Sequence, residues 1–345
     1  MTMKGWAQRM VGGATLGIAL ALFIAGASAA DKATFALDWV IYGKHAGFFA
    51  ALDQGYYKGA NLEVEIVRGF GSADTIKRID AGSNDYGLAD FGSLIVARSK
   101  GGKSKQLAVI HSKSLHAIFS LKGNGVLLPK DLEGKKVGYR AGGAVSTVLP
   151  ALAAVSGLDL KKVELINMAP EALMPSLVAG KIEALTDTFQ TEFPTLQATA
   201  QKMGKEGVSI LFGDHGVDIL ANGLIARDDT IAKQTDRTRR WVDSTMRAFA
   251  WAVENPDEAL KIFLKHNPAI DAKLARAHWE ICVDHLLVPE AKEQGIGFMT
   301  RERVAYARDL LTRLMNLPTA VPVEDLYDIR FLPKLFPKRG PRVAF

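Results

Sequence analysis

Two successive rounds of short β-branched or aromatic runs, each alternating with longer helical patterns, constrain this 345-residue chain more than any single motif does. Thr34–Trp39 reads as a strand, His45–Gln54 as a helix, and Leu62–Val67 as a strand with clean period-two alternation. Gly71–Ala81 follows as a helix with Ser72 or Asp74 at its N-cap, Asp85–Asp90 hands a further strand to a helix, and Gln106–His111 and His116–Leu121 continue as strands. After the turn-rich Lys122-Gly-Asn-Gly125 the grammar restarts without a repeat of sequence. Lys135–Tyr139, Val163–Asn167 and Ala184–Thr188 are its strands, and Ser146–Ser156 and Pro170–Ala179 its helices. Such an order predicts an α/β fold with parallel or mixed sheets covered by helices on both faces. Beyond Ser209–Phe212 and Leu220–Ala226 the pattern becomes helical at Thr235–Glu254, Pro256–His266, Asp271–Val283 and Arg301–Met315, before a proline-rich tail.

The N-terminus carries a different signal. Lys4 and Arg9 precede the small or apolar run Val11–Ala25, and Ala27-Ser28-Ala29 fits the small-x-small cleavage rule. Residues 1–30 are therefore expected to be a cleavable signal peptide and the remainder a periplasmic chain. The apolar run is short for a membrane span and has no basic stop, and no cysteine stands at the cut to accept a lipid. The formal charge of +6 falls to +4 once Lys4 and Arg9 are gone, which is small for this length. Basic residues are scattered among acids, and the cluster Arg237, Arg239, Arg240 reads as a solvated helix face, so no nucleic-acid partner is expected. The single thiol, Cys282, excludes an internal disulfide and a cysteine-based metal cluster, and neither a metal nor another cofactor is expected.

In an open α/β sheet, ligands sit beyond the carboxyl ends of strands, where backbone amides and helix N-termini point outward. Four strand-to-helix turns qualify: Asp38–Phe48, Gly69–Asp74, Ala89–Ser93 and Arg140–Thr147. Trp39 offers a flat face for stacking, or a core aromatic, and His45 a switchable donor or acceptor. Gly69-Phe-Gly-Ser72 and Gly142-Gly-Ala-Val-Ser146 allow close backbone approach, although neither matches a Walker or dinucleotide pattern. Asp90 and Asp187 follow apolar strands and Asp218 a glycine-framed turn, so each must be solvated, cap a helix or face a polar ligand. Convergence of two such acids with Trp39 would favour an amine or a protonated ring nitrogen. No GxSxG, HExxH or Cys-His arrangement supports catalysis, and the chain reads as a binder.

The stretch from Leu37-Asp-Trp-Val-Ile-Tyr-Gly-Lys-His45 to Gln54-Gly-Tyr-Tyr57 resembles the opening of the substrate-binding proteins of ABC importers in the sulfonate, nitrate and thiamine-pyrimidine-precursor group. Gly71–Thr75, Gly82–Asp90, Asp131–Gly138, Ala179–Ala184 and Phe212–Asp218 resemble further segments of that group in the same order. The resemblance implies a two-lobed periplasmic-binding-protein fold of type II, with a ligand cleft between lobes and two hinge crossings. It places lobe one at residues 31–121 plus 224–345 and lobe two at 122–223. It also implies a monomer that hands a small molecule to an inner-membrane ABC permease. The ligand-binding set it carries over is Trp39, His45, Ser72 and Asp90 in lobe one, with Gly142, Gly143, Ala144, Val145, Asp187 and Asp218 in lobe two.

Within the group, the Asp-Trp and His opening and the surplus of acids over cleft arginines point toward pyrimidine-type thiamine precursors, although the usual W-x-P-N-x-x-H lacks its Pro-Asn pair here. A sulfonate, nitrate or carboxylate held by Arg140 and the amides of 142–145 is the alternative. The group also resembles an iron-requiring pyrimidine synthase that uses pyridoxal phosphate. Its cysteine run is absent here, and Ala89 and Ser93 stand where its lysine and histidine fall. A ligand-sensing input protein is the remaining alternative.

Overall fold

The computed structural model describes residues 29–342, so the expected signal peptide lies outside the described residues apart from Ala29 and Ala30. Ten strands are present among them: β1 (Asp31–Ala36), β2 (Leu62–Val67), β3 (Tyr86–Asp90), β4 (Ser104–Val109), β5 (His116–Leu121), β6 (Lys136–Tyr139), β7 (Glu164–Asn167), β8 (Ala184–Thr188), β9 (Gly207–Leu211) and β10 (Asn222–Arg227). They form two five-stranded sheets in the orders β2-β1-β3-β10-β4 and β7-β6-β8-β5-β9. Each sheet has three parallel strands followed by one antiparallel strand, β10 in the first and β5 in the second. In both, the antiparallel strand is the one that arrives from the other sheet. A chain that crosses at the hinge must enter the new sheet from the opposite end, which reverses its direction relative to the strands already there.

The crossings therefore run through residues 110–115 and 212–221. The first falls one strand earlier than the boundary expected after Leu121, because β5 pairs with β8 and β9 of the second lobe. Hydrophobic pattern alone does not report the partner of a strand buried along its whole length, as β5 is.

The helices are α1 (Ala46–Asp53), α2 (Tyr56–Gly59), α3 (Ser72–Asp80), α4 (Phe91–Ser99), α5 (Ala144–Ser156), α6 (Pro170–Val178), α7 (Phe189–Lys202), α8 (Asp228–Lys233), α9 (Thr235–Glu254), α10 (Pro256–His266), α11 (Ala272–Leu286), α12 (Pro289–Gln294) and α13 (Arg301–Met315). No helix among the described residues is long and apolar enough to cross a membrane. Sequence patterning misses α7, whose interior Pro194 cannot donate to the carbonyl of Gln190 and reads as a breaker. The helix survives because its first turn is held by tertiary contacts. His278 Nε2 of α11 donates to Thr191 O across 3.0 Å.

One core lies beneath the first sheet, where α1, α9, α10 and α11 bury Phe35, Phe48, Trp241, Phe249 and Trp279. Tyr86 stacks on Trp241 at 4.1 Å with planes 6° apart, filling the space between β3 and α9. A second core runs without interruption from α4 of the first lobe through Val109 and Ile118 to α5 of the second, and α13 lies against both helices. The third is confined to the second lobe, among β5, β8, α6 and α7. Continuous apolar packing joins the two lobes through α4, α5 and α13.

Candidate functional site

The segments that leave β1, β6 and β8, together with the N-termini of α3 and α5, meet between the lobes around an empty volume of about 340 Å³, partly open to solvent. The first lobe contributes Asp38, Trp39 and Ser72, and the second contributes Arg140, the start of α5 (Gly143–Ser146) and the end of β8 (Thr186–Thr188).

The first wall is internally engaged. Asp38 is buried and accepts from Lys44 Nζ at 2.6 Å, from His45 Nε2 at 2.9 Å, and from the Asn222 amide that opens β10. Burial by itself would raise the Asp38 carboxyl, but the Lys44 ammonium and the donors from His45 and Lys44 hold it well below the usual carboxylate range. His45 is fully buried, and its Nδ1 accepts from the Tyr42 N–H at 3.2 Å, which leaves the proton on Nε2 for Asp38. Burial lowers its basicity, as suits a neutral ring with both nitrogens occupied. Trp39 stands just after β1 in a bend, and its indole Nε1 is buried with no protein partner among the described residues. Gly69 and Gly71 close this wall: their N–H groups donate to Trp39 O and Asp38 O, both at 3.1 Å. A Cβ on Gly69 would lie 2.1 Å from Leu37 O, so only glycine fits there.

The second wall is open-handed by contrast. Asp187 is buried at the end of β8. Its Oδ1 accepts from Thr188 N–H at 2.6 Å and Thr191 Oγ1 at 3.2 Å, while Oδ2 has no protein partner among the described residues. Burial pushes its carboxyl up to about 6, opposed by the Thr188 amide and the charge of Lys44. Thr186 Oγ1 and Arg140 Nε are likewise buried without partners among the described residues. The N-terminus of α5 has no side-chain cap, so the first-turn amides of Ala144 and Val145 remain as donors at the positive end of a 13-residue helix. A flat ring beside Trp39 could therefore give an N–H to Asp187 and place an oxygen near Arg140 or the α5 amides.

The lobes touch directly. Ala73 N–H donates to Gly142 O at 3.1 Å, and Arg68 pairs with Glu171 at 3.1 Å across the rim. Gly71 lies against Gly142, and its φ of 126° is one that glycine adopts without strain.

Of the expected site residues, Trp39, Ser72, Gly143, Ala144, Val145 and Asp187 line the cleft, and Gly142 stands beside it at the contact between lobes. The structure places the other three elsewhere. His45 lies behind the wall on Asp38. Asp90 is the N-cap of α4, accepting from Ser93 N–H at 2.7 Å and pairing with His116 of the second lobe at 2.9 Å. Asp218 is exposed in the second crossing and reaches only the Ser114 N–H at 3.4 Å. Sequence reasoning missed Lys44 and Thr186, and the acid Glu192 just behind Asp187. A lysine reads as surface until a buried partner is known, and Glu192 falls in the proline-interrupted stretch that did not read as a helix. No group of three or more potential metal ligands occurs among the described residues.

Residues 43–259 match the protein family described as NMT1/THI5 like. The formylaminopyrimidine-binding protein of Halalkalibacterium halodurans is 28% identical over 235 residues, covering 66% of this chain and 68% of its own. The 4-amino-5-hydroxymethyl-2-methylpyrimidine phosphate synthase of Schizosaccharomyces pombe is 24% identical over 263 residues, covering 73% and 74%. Among solved structures, the alkanesulfonate-binding protein SsuA of Xanthomonas axonopodis pv. citri superposes with a TM-score of 0.64 at 12% identity, over 87% of this chain and 99% of its own. The architecture is thus the two-lobed periplasmic-binding-protein fold.

Proposed function

Because the chain belongs to the NMT1/THI5-like family, we propose that it is the periplasmic solute-binding component of an ABC importer, and that its cargo is a nitrogen-containing aromatic of the aminopyrimidine type. The observation that carries this reading is the free Asp187 Oδ2, which shares the cleft with the unpartnered indole of Trp39. A buried carboxylate oxygen without a donor is costly, and an exocyclic amine or ring N–H supplies the donor. Stacking on Trp39 contributes affinity without chemical change, and closure of the lobes shields the ligand from water until a permease opens them. The formylaminopyrimidine-binding relative supports the ligand class. The synthase relative raises the enzymatic alternative. Against it stand the side chains of Ala89 and Ser93: the first is a buried methyl and the second is hydrogen-bonded to Asp90, so neither offers an amine or imidazole to a cofactor.

A second reading rests on Arg140 and the uncapped α5 N-terminus, which suit a compact anion such as a sulfonate, nitrate or carboxylate. A thermal-shift screen separates the two. Formylaminopyrimidine and 4-aminopyrimidines are expected to raise the melting temperature by several degrees at saturating concentration, while nitrate and alkanesulfonates leave it unchanged. Stabilisation by the anions alone would overturn the aminopyrimidine reading.

A further inference from the structure

Glu192 lies on the first turn of α7 in the second lobe, yet the first lobe helps to bury it. α11 packs against α7, with His278 Nε2 donating to Thr191 O, and Tyr42 stands edge-on to the His278 ring at 5.0 Å. The Glu192 side chain is 3% exposed, its Oε2 has no protein partner, and it pairs with no lysine or arginine among the described residues. Asp187 at the end of β8 and Tyr42 before α1 interact with its charge, and His278 on α11 stands at the same contact between lobes, on Thr191 O. None of them supplies a positive charge. His278 is pushed down to about 4 by burial, and Tyr42 is pushed above its ordinary range by burial and by the charges of Glu192 and Asp187. Lys44 is bound to Asp38 and acts on Asp187.

We infer that closing the cleft takes up a proton on Glu192, so that seizure of the ligand is linked to the acidity of the surroundings. With the lobes apart, Tyr42 and His278 withdraw from α7 and the Glu192 carboxylate is hydrated. With the lobes together, the same carboxyl is buried beside a second acid, where burial and the Asp187 charge favour the protonated form. The closed state binds more protons than the open one. Closure is therefore favoured as pH falls below the closed-state value of Glu192 and disfavoured as pH rises through it. Burial also raises Asp187, to about 6, and it is the group that must be ionised to accept an N–H from the ligand. The aminopyrimidine reading supplies that role for Asp187, but the proton uptake depends only on the contact between lobes.

Small-angle scattering on the ligand-free protein tests the linkage without using the ligand assignment. The radius of gyration of the wild type should fall as pH is lowered from 8 to 5, with a midpoint above the ordinary range of a glutamate, because burial and the Asp187 charge raise the Glu192 carboxyl. In Glu192→Gln the transition should shrink to what Asp187 contributes, and in Asp187→Asn/Glu192→Gln the radius should not change with pH. A wild-type radius independent of pH, or a Glu192→Gln profile superimposable on the wild type, would overturn the inference. Should the variants fail to fold, infrared spectroscopy of the wild type decides: the carbonyl stretch of a protonated carboxyl is expected to strengthen as the radius falls, and its absence from the compact form rejects the idea. Failure of the pyrimidine screen with a positive scattering result would remove the ligand reading alone.

Discussion

The two walls of the cleft use the same residue types to opposite ends. In the first lobe, Asp38 is surrounded by three donors, all from that lobe. In the second, Asp187 keeps one oxygen free, Thr186 and Arg140 hold unused polar atoms, and α5 lacks a cap. A carboxylate whose hydrogen-bonding capacity is filled by its own lobe fixes geometry, and one with capacity left over can discriminate between ligands. On the proposed function, the first wall is a rigid mount for Trp39 and the second the surface that reads the ligand.

The largest way to break this contrast is Asp38→Ala. Removing one partner of a buried pair leaves the Lys44 ammonium uncompensated, which should cost about 3–5 kcal/mol of folding stability in chemical denaturation. A cost below about 1 kcal/mol would mean that the first wall is not internally braced. Asp187→Asn should do the reverse. Affinity for an aminopyrimidine is expected to fall about 10- to 100-fold by calorimetry, for the loss of a hydrogen bond to a charged group worth roughly 1.5–3 kcal/mol. The unliganded melting temperature at pH 7 should rise. An acid whose folded-state value lies above its unfolded one favours folding fully below about 4 and loses that contribution as pH climbs through about 6, so at neutral pH a buried Asp187 is a liability that Asn removes. The same titration makes wild-type affinity decline as pH drops below about 6, and an affinity unaffected there would detach Asp187 from the ligand. Smaller again, Trp39→Ala should weaken binding by about 1–3 kcal/mol in a protein that remains folded, by analogy with base–aromatic stacking. Unchanged affinity in that variant would return Trp39 to the core.

The sequence disclosed the lobes more readily than the site. Alternating patterns such as Leu62–Val67 and the long amphipathic α9 report burial on one face directly, so these elements were legible. The strand β5 is buried throughout and carries no such marker, and its sheet was misassigned. Trp39, Asp187 and the Gly142–Val145 turn could be found because strand ends followed by small residues are where an α/β sheet exposes its amides. His45 was a plausible ligand contact on the same rule, but its ring is turned inward by an aspartate seven residues earlier, a pairing that only the folded bend creates. Lys44 and Glu192 were illegible for a shared reason: a charged residue is assumed to be solvated, and its burial is decided by elements distant in sequence.

Gly71 and Gly142 meet backbone to backbone at the mouth, where a Cβ on Gly71 would come within 2.5 Å of the Gly142 oxygen. A single methyl group there would act as a doorstop. Such a chain would retain Trp39, Asp187 and every amide that lines the cleft while losing the shut form. The lining of the cleft and the contact that lets the lobes meet are therefore separable at one atom.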